Sequence, residues 1–413
     1  MRILLVSQYF WPESFIINDL ARELVAQGNE VTVLTGKPNY PDGKVFPGYQ
    51  QAGVSEELFE GQIRVLRVPL RPRGRGALNL MRNYLSFVVS GLRYFPRLTR
   101  PVRADAILVF APSPIVAAIP AILLRRMQRA HLALWVQDLW PESLAATGFV
   151  RNPFLLWLAG LMVRAIYAGC DTLLVQSRAF AAPVARFAAV RKIVYYPNSM
   201  ADVPAAAADR AAQALPAEMI ALLEGKFCAV FAGNIGTAQA VETLVDCAER
   251  LHDLPDFRLL LVGSGSRLEW VREECARRAL DNVVLTGRFP MSAMPAIFAR
   301  AQALLVTLKN ETIFAYTVPS KVQAYMAAGR PLVAALDGEG ARIIEEAGAG
   351  LTCAAEDGAG LAQRLRALHA MTPEQRACMG HAGRRYFLEH FEMGKLARRL
   401  TDLLQARIHG KDL

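Results

Sequence analysis

The 413-residue sequence predicts an α/β protein built from two doubly wound, parallel-sheet domains. Three observations predict it. Short apolar strands alternate with helical patterns in the first half; the alternation resumes in the second; and a proline-bracketed, alanine-rich stretch, PNSMADVPAAAADRAAQALP, separates the two. The length suits two cores, and 53% hydrophobic with 20% charged residues excludes disorder and collagen-like repeats.

In the first half, strands are expected near residues 2–7, 31–35, 63–68, 106–110, 132–137 and 172–176. The first crossover is a helix with Ile16, Leu20 and Leu24 on one face, capped by Ser14 and stopped by Gly28. The second half places strands near 227–232, 257–262, 282–286, 303–307 and 331–336. The domains are therefore expected at 1–197 and 217–385, with 198–216 as linker. Residues 386–413, with Leu396, Leu400 and Leu403 or Leu404 at core spacing, form a helix expected to pack back across the domains.

Six single cysteines (Cys170, Cys228, Cys247, Cys275, Cys353, Cys378), with no C-x-x-C pair, are expected as buried, reduced thiols in a cytosolic protein. The opening MRILLVSQYF runs straight into a strand pattern, unlike a signal peptide. Asp105, Pro112, Pro114 and Pro120 interrupt the apolar stretch 104–124, which is expected as strand, turn and buried helix. The stretch 153–170 contains Arg164 and is short for a span of ~20 residues, so no transmembrane helix is expected.

The net charge of +10 is concentrated between Gly61 and Ala104, which hold ten arginines (64, 67, 71, 73, 75, 82, 93, 97, 100 and 103) and no acid. Within this segment, residues 78–98 mix aliphatic and aromatic groups with arginine, as in a helix lying on an anionic membrane surface. A core helix with a basic outer face is the alternative. The arginines lie beside an apolar helix rather than along a recognition motif, so nucleic acid is not an expected partner.

In open parallel sheets ligands bind at the carboxyl ends of strands. There the second half carries three glycine turns: FAGNIG (231–236), VGSGS (262–266) and TGRFP (286–290), the last adding Arg288 as a cation and Phe289 as a stacking face for a base. The sharpest signal is TVPSKVQAYMAAGRPLVA (317–334): Pro319 suits a first helical turn, Ser320 and Lys321 lie at its start, and Gly329 ends it. Free N–H groups and one ammonium converge there, which can hold a diphosphate and stabilise it as it leaves. In the first half, Asp138 follows the strand LALWVQ and is placed either to orient or deprotonate an acceptor hydroxyl or to cap the next turn. Glu13 and the loop Tyr9–Trp11 close the first strand as an acceptor or sugar contact, and Lys37 sits in a neighbouring loop.

Taken together, QYFWPE (8–13), LTGKPNYPDG (34–43), DLWPES (138–143), YPNS (196–199), FAGNIGTAQ (231–239), GRFP (287–290), VPSK and YMAAGRP (318–331) make the chain similar to the retaining family-four glycosyltransferases. It resembles in particular the bacterial branch of fucosaminyl-type transferases of O-antigen and capsule synthesis. The resemblance implies the GT-B fold, two Rossmann-like domains facing across a cleft, with acceptor bound by the first and donor by the second. It implies chemistry without metal or other cofactor, retention of anomeric configuration, and a cytoplasmic protein peripheral to the inner face of the membrane. The donor would be a nucleotide sugar, preferably a UDP-N-acetylaminosugar, and the acceptor a lipid-linked saccharide of surface polysaccharide synthesis. The expected donor site is Gly233, Asn234, Gly263, Gly265, Arg288, Phe289, Thr317, Val318, Ser320, Lys321 and Gln323; the expected catalytic residues are Asp138, Lys321 and Glu13.

The sequence departs from that pattern. Two glutamates of many relatives correspond to Tyr316 and Ala324, leaving Gln323 or Glu339 for the ribose. An arginine and a lysine that grip phosphate correspond to Asn234 and Gln239, shifting that charge to Lys321 and Arg288. The missing glutamates motivate a non-catalytic nucleotide-sugar sensor as one rival reading, and a nucleotide-sugar 2-epimerase is another.

Overall fold

In the computed structural model, fourteen strands among the described residues form two sheets. The structure describes residues 1–410 except 75, 147–149, 151, 204–206, 208–209 and 212. Arg75 and part of the expected linker lie outside the described residues. The chain divides into two compact units, Met1–Ser199 with Met393–Leu413, and Met200–Glu392.

The first unit's sheet runs β3-β4-β2-β1-β5-β6-β7-β8. Its strands are β1 (Arg2–Ser7), β2 (Glu30–Gly36), β3 (Ser55–Phe59), β4 (Ile63–Val68), β5 (Ala106–Ala111), β6 (His131–Val136), β7 (Thr172–Val175) and β8 (Ile193–Tyr195). All pair in parallel except β3, which runs antiparallel to β4. Central strands such as AILVFA are buried throughout because helices cover both faces. Helix α1 (Ile16–Ala26) and the C-terminal helix Met393–Ile408 share one core, where Ile17, Leu20 and Leu24 join Leu396, Leu400, Leu403 and Leu404. Right-handed crossovers place α2 (Ala77–Leu98), α3 (Ile119–Gln128) and α4 (Pro153–Gly169) on the opposite face. There α3 touches both α2 and α4. The helices come close: a Cβ on Gly91 of α2 would meet Pro120 at 2.7 Å, and one on Gly169 of α4 would meet Ile122 at 2.8 Å.

The second unit's sheet is parallel throughout, in the order β11-β10-β9-β12-β13-β14. Its strands are β9 (Phe227–Asn234), β10 (Phe257–Ser264), β11 (Val283–Gly287), β12 (Ala303–Thr307), β13 (Leu332–Ala335) and β14 (Gly350–Cys353). Helices α5 (Val241–Arg250), α6 (Leu268–Arg277), α7 (Ser320–Ala327) and α8 (Glu339–Glu346) lie among its crossovers. In each sheet the strand order reverses direction once, at β1/β5 and at β9/β12. Crevices outside the carboxyl ends of strands open at such points.

Several expectations change. Ser14 does not cap α1: Phe15 holds the N-cap position without a side-chain bond, and Asn18 ties the turn by accepting from the Trp11 amide and donating to the Glu13 carbonyl. Gly28 does end the crossover, at φ +84°. Ala211 and Leu215 of the expected linker are buried in the second unit's core. The expected boundary at 386 falls inside the helix Pro373–His390; the chain returns to the first unit at Met393, and the C-terminal helix packs on that unit's core. Of the cysteines, Cys170, Cys228 and Cys247 are buried and Cys378 is exposed.

The arginine-rich segment is also less uniform than its composition suggests. Strand β3, SEELF, brings acids against it, pairing Arg64 with Glu56 and Arg67 with Glu57. Arg67 is fully buried, donating to the carbonyls of Gly36 and Trp11 and lying 5.0 Å from the Tyr49 ring centre. Replacing it removes the partner of a carboxylate and strands two buried carbonyls. Arg67→Met is expected to lower unfolding stability by about 3 kcal/mol. Scanning calorimetry should then show a Tm fall of roughly 6–12 °C; an unchanged melt would contradict this account of the β2–β4 edge.

Candidate active site

In the second unit the expected donor residues gather at the reversal point. Gly233 and Gly263 are register partners at the ends of β9 and β10, with φ of +131° and +147°. A Cβ on Gly263 would lie 1.9 Å from the Gly233 carbonyl oxygen, and one on Gly265 would lie 2.2 Å from that of Ile235. No side chain fits, so bare backbone faces outward here. Lys321, in the first turn of α7, crosses this turn: a Cβ on Gly233 would come within 3.0 Å of its Cε.

The Lys321 ammonium donates to Gln239 Oε1 at 2.5 Å and sits 3.6 Å from the centre of the Phe231 ring. Thr307 Oγ1 in turn donates to the Gln239 carbonyl at 2.5 Å, fixing that loop to β12. Burial pulls the Lys321 amine down to about 7. Exposed Asn234 bends toward Gly236 and Gly265, and Arg288 Nε donates to Ser264 Oγ, which brings the β10 and β11 turns together.

Other expected donor residues are engaged differently. Ser320 is exposed at the start of α7, with Pro319 as N-cap. Thr317 Oγ1 donates to the Phe314 carbonyl at 3.0 Å, Phe289 packs partly on the core, and Val318 and Gln323 are buried. Val318 therefore offers a ligand backbone only. Glu339 is buried at the start of α8, its carboxylate held by Arg342 Nε and Nη2. Its neighbour Gly338 has no room for a Cβ, which would lie 2.1 Å from the Ala315 carbonyl, so Glu339 is pinned beside the segment leading into α7.

In the first unit, Asp138 follows β6 and lines a cavity of about 220 Å³ with Leu80, Met81, Tyr84, Trp140 and Leu144. Burial raises its pKa, while bonds from Ser143, Trp140, the Leu139 amide and Ser113 pull the other way. The Trp140 Nε1 contact is 3.1 Å. Asp138 therefore braces the turn that follows it and also opens on a cavity.

Glu13 is a correction. It is buried, and its oxygens accept from the amides of Asn39 (2.8 Å), Tyr40 (2.7 Å) and Phe10 (3.2 Å). Its carboxylate holds the loops after β1 and β2 together rather than facing a ligand, and burial pushes its pKa up. Lys37 is likewise buried and donates to Ser55 Oγ at 2.5 Å. Sequence reasoning missed the roles of Phe231 and Gln239, although both stand in the motif FAGNIGTAQ. Only the fold brings them to Lys321.

Two family models match in succession: "Glycosyl transferase 4-like domain" over residues 15–199 and "Glycosyl transferases group 1" over residues 226–371. The chain is a glycosyltransferase of the GT-B type. It is 27% identical over 341 residues to WcaI of Escherichia coli K12, named for colanic acid biosynthesis, covering 80% of this chain and 82% of that one. It is 24% identical over 294 residues to the Pseudomonas aeruginosa glycosyltransferase WbjE, covering 69% and 72%. The same two-sheet fold occurs in sucrose-phosphate synthase from Thermosynechococcus elongatus, with TM-score 0.72, 18% identity and coverage of 99% and 100%. It also occurs in Anabaena HepE in complex with UDP and glucose, with TM-score 0.68, 13% identity and coverage of 98% and 100%.

The partly buried lysine makes one pH behaviour predictable. With its amine at about 7, unliganded GT-B transferase holds Lys321 mostly neutral above neutrality. A diphosphate placed beside Lys321 would favour the charged form, and its binding would take up a proton. Calorimetry in buffers of different ionisation enthalpy is expected to show uptake approaching about one proton per UDP near pH 8. Affinity should weaken as pH rises, and Lys321→Ala should abolish the uptake; equal uptake in that variant would assign the proton elsewhere.

Proposed function

We propose that this transferase moves a sugar, with retention, from a UDP-N-acetylaminosugar to a lipid-linked saccharide in surface polysaccharide synthesis at the inner face of the cell membrane. The observation that carries the reading is Lys321, a partly buried ammonium held by Gln239 and Phe231 over the side-chain-free Gly233 turn. Dehydrated, oriented cations stabilise departing phosphate more than solvated ones do. The start of α7 adds backbone N–H groups beside Ser320, and Arg288 a second cation. Support for the nucleotide comes from HepE, which holds UDP, and for the pathway from WcaI, named for colanic acid biosynthesis.

In this reading the C1–O bond to the diphosphate breaks as Lys321 and the helix terminus take up its charge. A leaving-phosphate oxygen receives the proton of the acceptor hydroxyl, and that hydroxyl oxygen bonds C1 on the same face. Asp138 accepts a hydrogen bond from the acceptor hydroxyl and orients it; Glu13 positions the neighbouring loops. Glu339 is the favoured ribose contact, since it is pinned beside the segment leading into α7. The anionic membrane surface meets α2, whose exposed Arg82, Arg93 and Arg97 have no acid among them. The sensor reading is favoured by one feature, Tyr316 and Ala324 in place of glutamates.

The test incubates the purified protein and membranes bearing lipid-linked acceptor with UDP- and GDP-sugars, following nucleoside diphosphate release and glycolipid product. One donor should turn over. Lys321→Ala should lower kcat by about 100- to 1000-fold, and Asp138→Asn by roughly 100-fold without changing UDP affinity. Chelation of divalent cations should leave the rate unchanged. Donor binding without turnover across the panel would select the sensor.

A further inference from the structure

Helix α4 is the least explained element of the first unit. It begins well, with Asn152 Oδ1 accepting from the amides of Phe154 and Leu155 and Pro153 in the first turn. Yet its buried residues, Gly160, Val163, Ile166 and Tyr167, all lie beyond its first two turns. The first turns present Phe154, Leu155, Trp157, Leu158 and Leu161 outward, with Phe154 63% and Trp157 58% exposed. The rings of those two stack at 5.8 Å.

Helix α2 repeats the pattern. Its inner face buries Tyr84, Phe87, Val88 and Phe95, while Leu78, Met81, Leu85, Val89 and Leu92 form a second, exposed stripe at helical spacing. Ten of the nineteen exposed large hydrophobic residues among those described lie on α2 and α4, which make up under a tenth of the chain. Both helices flank α3 on one face of the sheet. Exposed apolar stripes of this kind, one on each helix, mark a binding face.

Charge selects the occupant. Neither helix contains an acid, and Arg82, Arg93, Arg97 and Arg164 are exposed on them. A second copy joined through this face would bring like charges together with nothing to neutralise them. An anionic bilayer supplies both the apolar interior and the counter-charge. No described helix is long and apolar enough to cross a membrane, so the face lies on the bilayer.

The geometry points to a two-helix bilayer seat in which the first turns of α4, Phe154 to Leu161, are the principal inserting element and α2 is the basic flank. This extends the membrane part of the proposed function but stands on different residues. Met81 belongs both to the exposed stripe and to the wall of the Asp138 cavity, so the seat holds that cavity at the lipid level. A lipid-linked acceptor then reaches Asp138 without leaving the membrane.

The test is flotation of the full chain with phosphatidylglycerol-containing and pure phosphatidylcholine vesicles. Phe154→Ser/Trp157→Ser/Leu158→Ser is expected to lower partitioning onto anionic vesicles by about 100-fold or more. Its melting temperature and UDP binding should match wild type, because these side chains pack on little. Brominated lipid should quench tryptophan emission in wild type, with that quenching largely lost in Trp157→Phe. Wild-type partitioning by the triple variant would overturn the inference. If Leu85→Ser/Val89→Ser alone abolished binding, α4 would be excluded while the α2 reading survived. Failure of the wild type to float would sink both, and a change of oligomeric size without vesicle binding would make the occupant a second copy.

Discussion

A parallel sheet covered by helices on both faces has only its strand ends open to a ligand. Both sheets here obey that constraint, and the candidate chemistry follows from it. Asp138 follows β6, while Gly233, Gly263 and Arg288 stand at the ends of their strands. Glu13 and Gln239 occupy the loops just beyond β1 and β9. The strand bodies contribute almost nothing but apolar packing. The candidate chemistry is therefore confined to a few turns and the helices that begin there.

Two cations, one buried and one partly buried, show how differently the same cost can be met. Arg67 is matched by Glu57 and by two backbone carbonyls, so its charge is satisfied within the protein and serves to fasten the β2–β4 edge. Lys321 has a neutral amide and an aromatic ring as neighbours, and burial alone lowers its pKa. A partly buried cation with no carboxylate partner among the described residues suits an anionic ligand. Gln239, one of the positions where the sequence departs from the family pattern, fixes that ammonium in place.

Helices α2 and α4 carry a different unmet cost. Each buries one apolar face and leaves another in water, where leaving large side chains unburied forfeits about 1.5–3 kcal/mol apiece. The glycine contacts with α3 hold them in place regardless, so the outward face is free to serve something other than folding.

The sequence by itself determined the alternation of strands and helices, the glycine turns and the position of Lys321 at a helix start, because these are local: periodicity, φ preference and capping act within a few residues. Strand β3 was hidden, since SEELF reads as solvated until β4 brings Arg64 and Arg67 into ion pairs with its acids. Strand β8, at three residues, is too short to show a period. Glu13 looked like a ligand contact because sequence places it after a strand, but only the fold turns it toward the amides of Asn39 and Tyr40. Likewise, an apolar α4 could be read as core; whether its first turns are covered depends on which helices reach them. Burial, and with it the lowered pKa of Lys321, is decided by residues distant in sequence, which is why tertiary structure alone could settle it.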